Sequence, residues 1–287
     1  MATNQMRREA AKRKLASQQK RRAEQARRRK QVATITTAVV VVVVVVGVVL
    51  LTTIGSGGGT DTSSSTDPGS SAAAAGVTPD AIPTATVPLP TRPDPFPATV
   101  SCDYTASGSA SKPVNPPPGA DVSARGTVPV TLQTSAGAIP MTLSRDLAPC
   151  AVNSFVSLAQ QGYFDGSSCH RLTTSAGLQV LQCGDPTGSG SGGPGYQFAD
   201  EVFPQLTYGR GLLAMANGGP DTNGSQFFMI YGDAELPPSY TVFGEIAPEG
   251  LQVVDTVAKA GSDGSMEPSP GGGKPITPVT IEKATAG

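Results

Sequence analysis

The chain predicts a mainly β domain, a barrel or a sandwich, carried behind a single transmembrane helix and a disordered linker. Three observations carry this reading. Residues 32–54 contain no charged side chain and are almost continuous valine at their centre. Residues 55–99 are rich in Gly, Ser, Thr, Ala and Pro and poor in large apolar side chains. Beyond residue 124, short runs of alternating apolar and polar residues recur, with only two segments of helical period.

The uncharged run is long enough to cross a bilayer, which takes about 20 apolar residues. In lipid each backbone N–H and C=O must be paired within the segment, so valine's modest helix preference is overridden. The charges fix the orientation. Before residue 31 there are twelve Lys and Arg against two Glu, a local net charge of about +10 that the overall −1 conceals. Residues 1–31 are therefore expected in the cytoplasm, and everything after the span outside, at the cell membrane. A cleaved signal peptide is the competing reading. It would have a shorter apolar core and a small-residue site close behind it, whereas this run passes into IGSGGG and the alanines at 72–75 lie well downstream. Topology and anionic lipid account for the basic block, so no nucleic-acid partner is expected.

The linker, residues 55–99, cannot bury enough surface to offset its ordering entropy, and its proline-rich second half reads as a semi-stiff spacer. Residues 100–123 read as an N-terminal extension attached to the domain, and residues 124–284 as the domain itself. Residues 127–132 and 138–143 alternate around a turn at 134–137 and form a hairpin. Residues 151–161 place Val152, Phe155, Leu158 and Ala159 on one helical face, stopped by Gly162. A second hairpin joins 169–173 to 180–184. Further strands fall at 212–216, 227–231 and 242–246, a second helix at 251–260 ends at Gly261, and a last strand covers 276–281.

The four cysteines, Cys102, Cys150, Cys169 and Cys183, all lie beyond the span, where an oxidising compartment favours two disulfides. A metal site is not expected: there is no C-x-x-C pair and His170 is the one histidine. With the second hairpin centred near Ala176, Cys169 faces Cys183 and Arg171 faces Leu181. Facing positions lie close to disulfide distance, which pairs Cys169 with Cys183 and leaves Cys102 for Cys150.

The run GLLAMANGGPDTNGSQFF at 211–228, with CHRL at 169–172 and YTVFG at 240–244, resembles the core of the cyclophilin family of peptidyl-prolyl isomerases. The resemblance covers residues 126–282 and implies a closed eight-stranded antiparallel barrel capped by two helices, with no cofactor. Rotation about X–Pro is slow because amide resonance must be broken. A site speeds it by gripping the proline in an apolar pocket and setting a fixed cation beside the amide nitrogen as its lone pair localises. Arginine suits that task, being always protonated and planar.

By resemblance Arg171 is the catalytic arginine and Gln182 binds substrate backbone. Ala216 and Asn217 pair with the residue before proline, and Gln226 is a further polar wall. Phe228 forms the floor of the proline pocket, Val180 and Leu236 its sides. Gly190 and Ser191 belong to a glycine-rich loop beside the groove. The chain departs from well-known members in three places. A longer stretch separates Arg171 from Gln182, so Leu178 or Gln179 stands near the usual pocket phenylalanine. Tyr240 replaces a histidine. The chain contains no tryptophan, and Glu235 stands where many members use one to bind cyclosporin, so weak cyclosporin binding is expected.

The glycine run at 188–193 satisfies G-x-G-x-x-G but opens no helix, which argues against a nucleotide site. No G-x-S-x-G turn presents a serine nucleophile. The expected function is isomerisation of X–Pro bonds in exported or cell-envelope proteins. The alternative is a chaperone or scaffold that grips proline-containing segments with little turnover.

Overall fold

The structure, a computed structural model, describes residues 76–287. The basic block, the expected span at 32–54 and the first part of the linker lie outside the described residues. Among the described residues no helix is long and apolar enough to cross a membrane.

The domain is mainly β. Strands β4 (Thr127–Thr134) and β5 (Gly137–Ser144) form the expected hairpin around a two-residue turn, Ser135 and Ala136. In β4 every second side chain is buried, so Val128, Val130 and Leu132 face the core while Thr127, Pro129 and Gln133 face solvent. Strands β6 (Ser167–Ser168), β7 (Arg171–Leu172), β8 (Leu178–Cys183), β10 (Leu212–Met215), β11 (Phe227–Ala234), β12 (Val242–Ile246) and β13 (Thr280–Ala286) join them. The nine strands form one antiparallel sheet in the order β6-β13-β4-β5-β12-β10-β11-β8-β7.

Its two edges, β6 and β7, are separated in sequence by only Cys169 and His170. The sheet therefore curls until one short segment serves both edges. No ladder joins β6 to β7 among the described residues, so in place of the expected closed barrel the structure has a curled sheet whose edges are joined by chain rather than by hydrogen bonds. Arg171 follows that two-residue break directly.

Helix α1 (Pro149–Gln160) and helix α2 (Pro248–Ala260) each begin a turn or less before the expected start, at a proline whose missing N–H costs nothing in the first turn. Phe155 of α1 stacks on Phe164, Phe227 and Phe243 at 4.8, 5.2 and 5.5 Å between ring centroids. Each fully buried phenylalanine contributes on the order of 1.5–3 kcal/mol. Helix α1 has no side-chain cap of its own; instead Glu201 accepts from the backbone N–H groups of Cys150 and Ala151. Burial pushes the Glu201 pKa up to about 7, against the pull of those donors and of Arg92. The last strand lies later than expected because Pro275 and Pro278 offer no ladder donors.

The described part of the expected linker, residues 76–99, does not stand off the domain but lies against it. Val77 exchanges two backbone hydrogen bonds with Ser262, and Val87 N–H donates to Arg210 O. Ala81 O accepts from Gln179 Nε2. Arg92 donates to Leu147 O and Glu201 O, with its guanidinium 4.2 Å from the Phe96 ring centroid and 5.2 Å from that of Phe203. Ile82 and Leu89 pack against the core, but they are too sparse to show a period in the sequence, and backbone bonds and Arg92 do much of the rest. Prolines help by leaving little chain entropy to lose.

The extension follows as β1 (Thr99–Val100), β2 (Thr105–Ala106) and β3 (Val122–Ser123); β1 pairs with β3, and β2 with β9 (Tyr196–Gln197). Both expected disulfides are formed: Cys102–Cys150 ties this extension to α1, and Cys169–Cys183 ties the β6–β7 break to β8.

Candidate active site

The second hairpin sets the geometry. Its strands pair Arg171 with Gln182 and Leu172 with Leu181, one residue away from the expected register. The cause is the turn. Ser175 bridges Leu178 across a two-residue loop, Ala176 and Gly177, and Gly177 takes a φ of 78° that suits glycine. The centre thus falls between residues 176 and 177 rather than on Ala176. A one-residue slip reverses the face on which a side chain lies. With the observed register Arg171 shares a face with Gln182 instead of meeting the core residue Leu181.

The row continues across the sheet, because Gln182 faces Phe228 and Phe228 faces Ala214. Arg171, Gln182 and Phe228 therefore stand side by side on β7, β8 and β11, about 5 Å apart per strand. Phe227, Leu181 and Cys183 point the other way, into the core.

Hydrogen bonds tie the polar members together. Arg171 Nη1 donates to Gln182 Oε1 at 3.1 Å, Gln182 Nε2 to Gln226 Oε1 at 2.9 Å, and Gln226 Nε2 to the carbonyls of Gly190 and Gly192. The chain of bonds runs from the guanidinium to the glycine-rich loop without a break. Burial lowers the Arg171 pKa, and Glu267 opposes the fall.

The apolar side is assembled around Phe228. The Tyr240 ring meets it edge-on at 5.7 Å, and Leu236 is partly buried against the core. Val180 is buried on β8 two residues before Gln182, hence on the same face. Leu178 shares that face, whereas Gln179 is turned away, donating to Ala81 O and accepting from Asp233 N–H. Glu235 lies over the hairpin turn, its N–H donating to Gly177 O.

Ala216 N–H is taken by Gln226 O, and the Asn217 side chain donates to Asp200 and to Ser239 O. The Asn217 amide is thus committed to shaping its own loop. A groove of about 530 Å³ runs beside these residues, and a second of about 400 Å³ lies between Arg171, Ser191 and Pro270; both touch Gln182 and Gly190.

Three parts of the site escaped sequence reasoning. Asp185 anchors the glycine-rich loop, accepting from the N–H groups of Thr187, Gly190 and Gly192. Burial raises the Asp185 pKa, but bonds from Gly192, Thr187 and Gly190 outweigh it and hold the carboxyl below its ordinary range. Ser107, Gly108 and Ser109 of the extension line the larger groove. The loop at 263–273 supplies two carbonyls to Arg171. The acid after Gly184 and the glycine triplet at 271–273 were the available signals.

His170, next to Arg171, is buried, with its Nδ1 unpartnered. Burial lowers its pKa and Arg171 adds to the effect, while Asp185 opposes it. The described residues contain no group of His, Cys, Asp and Glu suited to a metal ion.

The family model for cyclophilin-type peptidyl-prolyl cis-trans isomerases matches residues 129–286. The chain is 52% identical over 195 residues to the probable peptidyl-prolyl cis-trans isomerase B of Mycobacterium tuberculosis, covering 63% of this chain and 62% of that protein. It is 40% identical over 177 residues to peptidyl-prolyl cis-trans isomerase A of the same organism, covering 55% of this chain and 92% of that protein. A cyclophilin-type isomerase from Cryptosporidium parvum, solved in the presence of the dipeptide Ala-Pro, is 32% identical with a TM-score of 0.48, covering 55% of this chain and 98% of that one. The chain spans about 62% of the length of the first of these relatives.

Proposed function

The chain belongs to the cyclophilin-type family of peptidyl-prolyl cis-trans isomerases, and from that premise we propose that its domain isomerises X–Pro bonds in polypeptide clients. The observation that carries the reading is the row Arg171–Gln182–Phe228, which sets a guanidinium, a backbone-binding amide and an apolar floor on one face of three adjacent strands. A proline ring seated on Phe228, between Tyr240, Leu236 and Val180, brings its amide nitrogen toward the guanidinium. Gln182, Gln226 and the backbone at Ala216 and Asn217 take the flanking peptide.

Arg171 then favours the twisted amide, whose nitrogen lone pair is localised, over either planar isomer, and that difference is catalysis. No proton transfer or covalent step is required. The larger groove, walled by Ser107 and Ser109, receives chain beyond the proline site.

We further propose that clients are exported or cell-envelope proteins and that residues 32–54 anchor the domain outside the membrane. The basic block on the near side of that run and the two disulfides support this topology. Cyclosporin should bind weakly, with Glu235 over the hairpin turn and no tryptophan in the chain.

The test is a protease-coupled X–Pro peptide assay of the full chain beside Arg171→Ala. The variant should lose at least about tenfold in turnover, about 1.4 kcal/mol of transition-state stabilisation, while still binding peptide. Unchanged turnover sinks the mechanism. Peptide binding without turnover in the parent chain would make the domain a proline-segment chaperone.

A further inference from the structure

The loop at 263–273 is built onto the strand that carries Arg171. Gly273 and Leu172 exchange two backbone hydrogen bonds, at 2.7 and 3.0 Å, directly beside the arginine. At the loop base Asp263 accepts from the N–H groups of Ser265 and Lys274. Within it, Met266 N–H donates to Gly272 O and Gly271 N–H to Met266 O, while the Glu267 carboxylate accepts from Gly272 N–H. Gly272 has a φ of 77°, and a Cβ there would strike Leu172 O, so the backbone lies flush on β7.

This framework aims two carbonyls at one target. Arg171 Nε donates to Gly271 O at 2.9 Å and Nη2 to Pro270 O at 2.6 Å. With Nη1 on Gln182, the guanidinium is held on three sides. A planar fork bonded at three points cannot rotate about its terminal torsions, yet N–H groups on Nη1 and Nη2 remain for a ligand. Pro268 and Pro270 are exposed, so the loop meets the arginine through its backbone carbonyls.

We infer that the 263–273 loop is a positioning device for Arg171, and that Glu267 locks it. The inference rests on the isomerase reading, since a fixed cation matters most where charge appears in the twisted state alone. Glu267 acts through Gly272, the next residue after the carbonyl that receives Nε. Its charge also favours the protonated guanidinium.

The test uses the full chain and the variants Glu267→Ala, Glu267→Gln and Arg171→Ala with Glu267→Ala. Two quantities are measured: kcat and KM on an X–Pro peptide, and solvent exchange of the Arg171 Nε–H by NMR. Glu267→Ala should lower kcat about fivefold with KM within about twofold, and should speed Nε–H exchange. Glu267→Gln should keep most of the rate, because its amide oxygen still accepts from Gly272. On the Arg171→Ala background, Glu267→Ala should add nothing.

An equal fractional loss on that background, or a Gln variant as damaged as Ala, would overturn the inference. If Glu267→Ala fails to fold, Pro268→Gly loosens the loop at an exposed position and should give the same kcat loss; an unchanged rate would overturn it. If the parent chain turns over no X–Pro peptide, the isomerase reading fails by itself. The exchange measurement still decides: faster exchange in the Ala variant alone supports positioning, and unchanged exchange refutes it.

Discussion

Two walls of the site are built by opposite means. Arg171, Gln182 and Phe228 stand on three sheet strands, where register places them, and the backbone ladder holds the row regardless of what each side chain does. The facing wall is irregular chain: the glycine-rich loop, Ser107–Ser109 of the extension, and the 263–273 loop. Each irregular piece is gathered by a few specific bonds: Asp185 and Gln226 collect the glycine-rich loop, the Cys102–Cys150 bridge and the β2–β9 pairing hold the extension, and Glu267 closes the 263–273 loop beside the Gly273–Leu172 pair. The difference teaches where the site is robust. A point change on the sheet wall should remove one function and leave the geometry, whereas one at a tie should release a whole segment.

The largest effect expected is at the bridge. Cys102→Ser with Cys150→Ser opens a loop whose ends are 48 residues apart, worth about 4 kcal/mol by chain entropy. The melting temperature should fall, and long peptides should lose affinity more than tetrapeptides as the Ser107–Ser109 wall, left with its β2–β9 pairing and bonds to Gly193 and Gly195, loosens. Equal losses for short and long peptides would show that the wall takes no part in binding.

Phe228→Ala comes next, at roughly 1.5–3 kcal/mol of apolar contact. Because Phe228 belongs to the sheet wall, peptide binding should weaken while Arg171–Gln182 geometry persists; intact binding, measured by titration, would remove Phe228 from the pocket. Asp185→Asn should cost about 2 kcal/mol, since bonds to a charged acceptor are among the stronger ones. Hydrogen exchange should rise across 187–192 and stay unchanged in β8. Exchange rising equally in both would erase the contrast between walls.

The smallest effect is one of pH. His170 is held neutral by burial, its folded pKa lying below the ordinary 6.5. Below that value the unfolded chain binds the proton and the folded chain resists it. Stability from this group is therefore complete above about pH 6.5 and is lost as pH falls toward the lower folded pKa. Glu201, raised to about 7, adds a slope of opposite sign in the same window, so the His170 part is read as the difference between parent and His170→Gln in denaturant titrations from pH 5 to 8: the parent should lose more stability on acidification than the variant.

Much of this was legible in the chain. Alternation marked the first hairpin, Gly162 and Gly261 marked the helix ends, and Arg171, Val180, Gln182 and Phe228, picked out by resemblance, fell on strands, while Gly190, Ala216, Asn217, Gln226, Leu236 and Tyr240 fell on the connections. The cysteine pairing survived a hairpin register that was off by one residue, because bridged residues need only be near neighbours. What was not legible is instructive in the same terms. The strap at 76–99 has only scattered apolar residues, such as Ile82 and Leu89, without a strand or helix period, and most of its hydrogen bonds involve backbone groups, which carry no sequence signature.

Amino-acid sequence alone determined the local pattern: where most strands, both helices and the turns between them fall. Those are properties of neighbouring residues and their periodicity. Tertiary structure alone decided that Arg171 faces Gln182 rather than Leu181, that Asp185 gathers the glycine loop, and that Pro270 and Gly271 turn their carbonyls to the guanidinium. The physical reason is that register is set by how one turn closes, and a carbonyl's aim by hydrogen bonds between residues about a hundred positions apart.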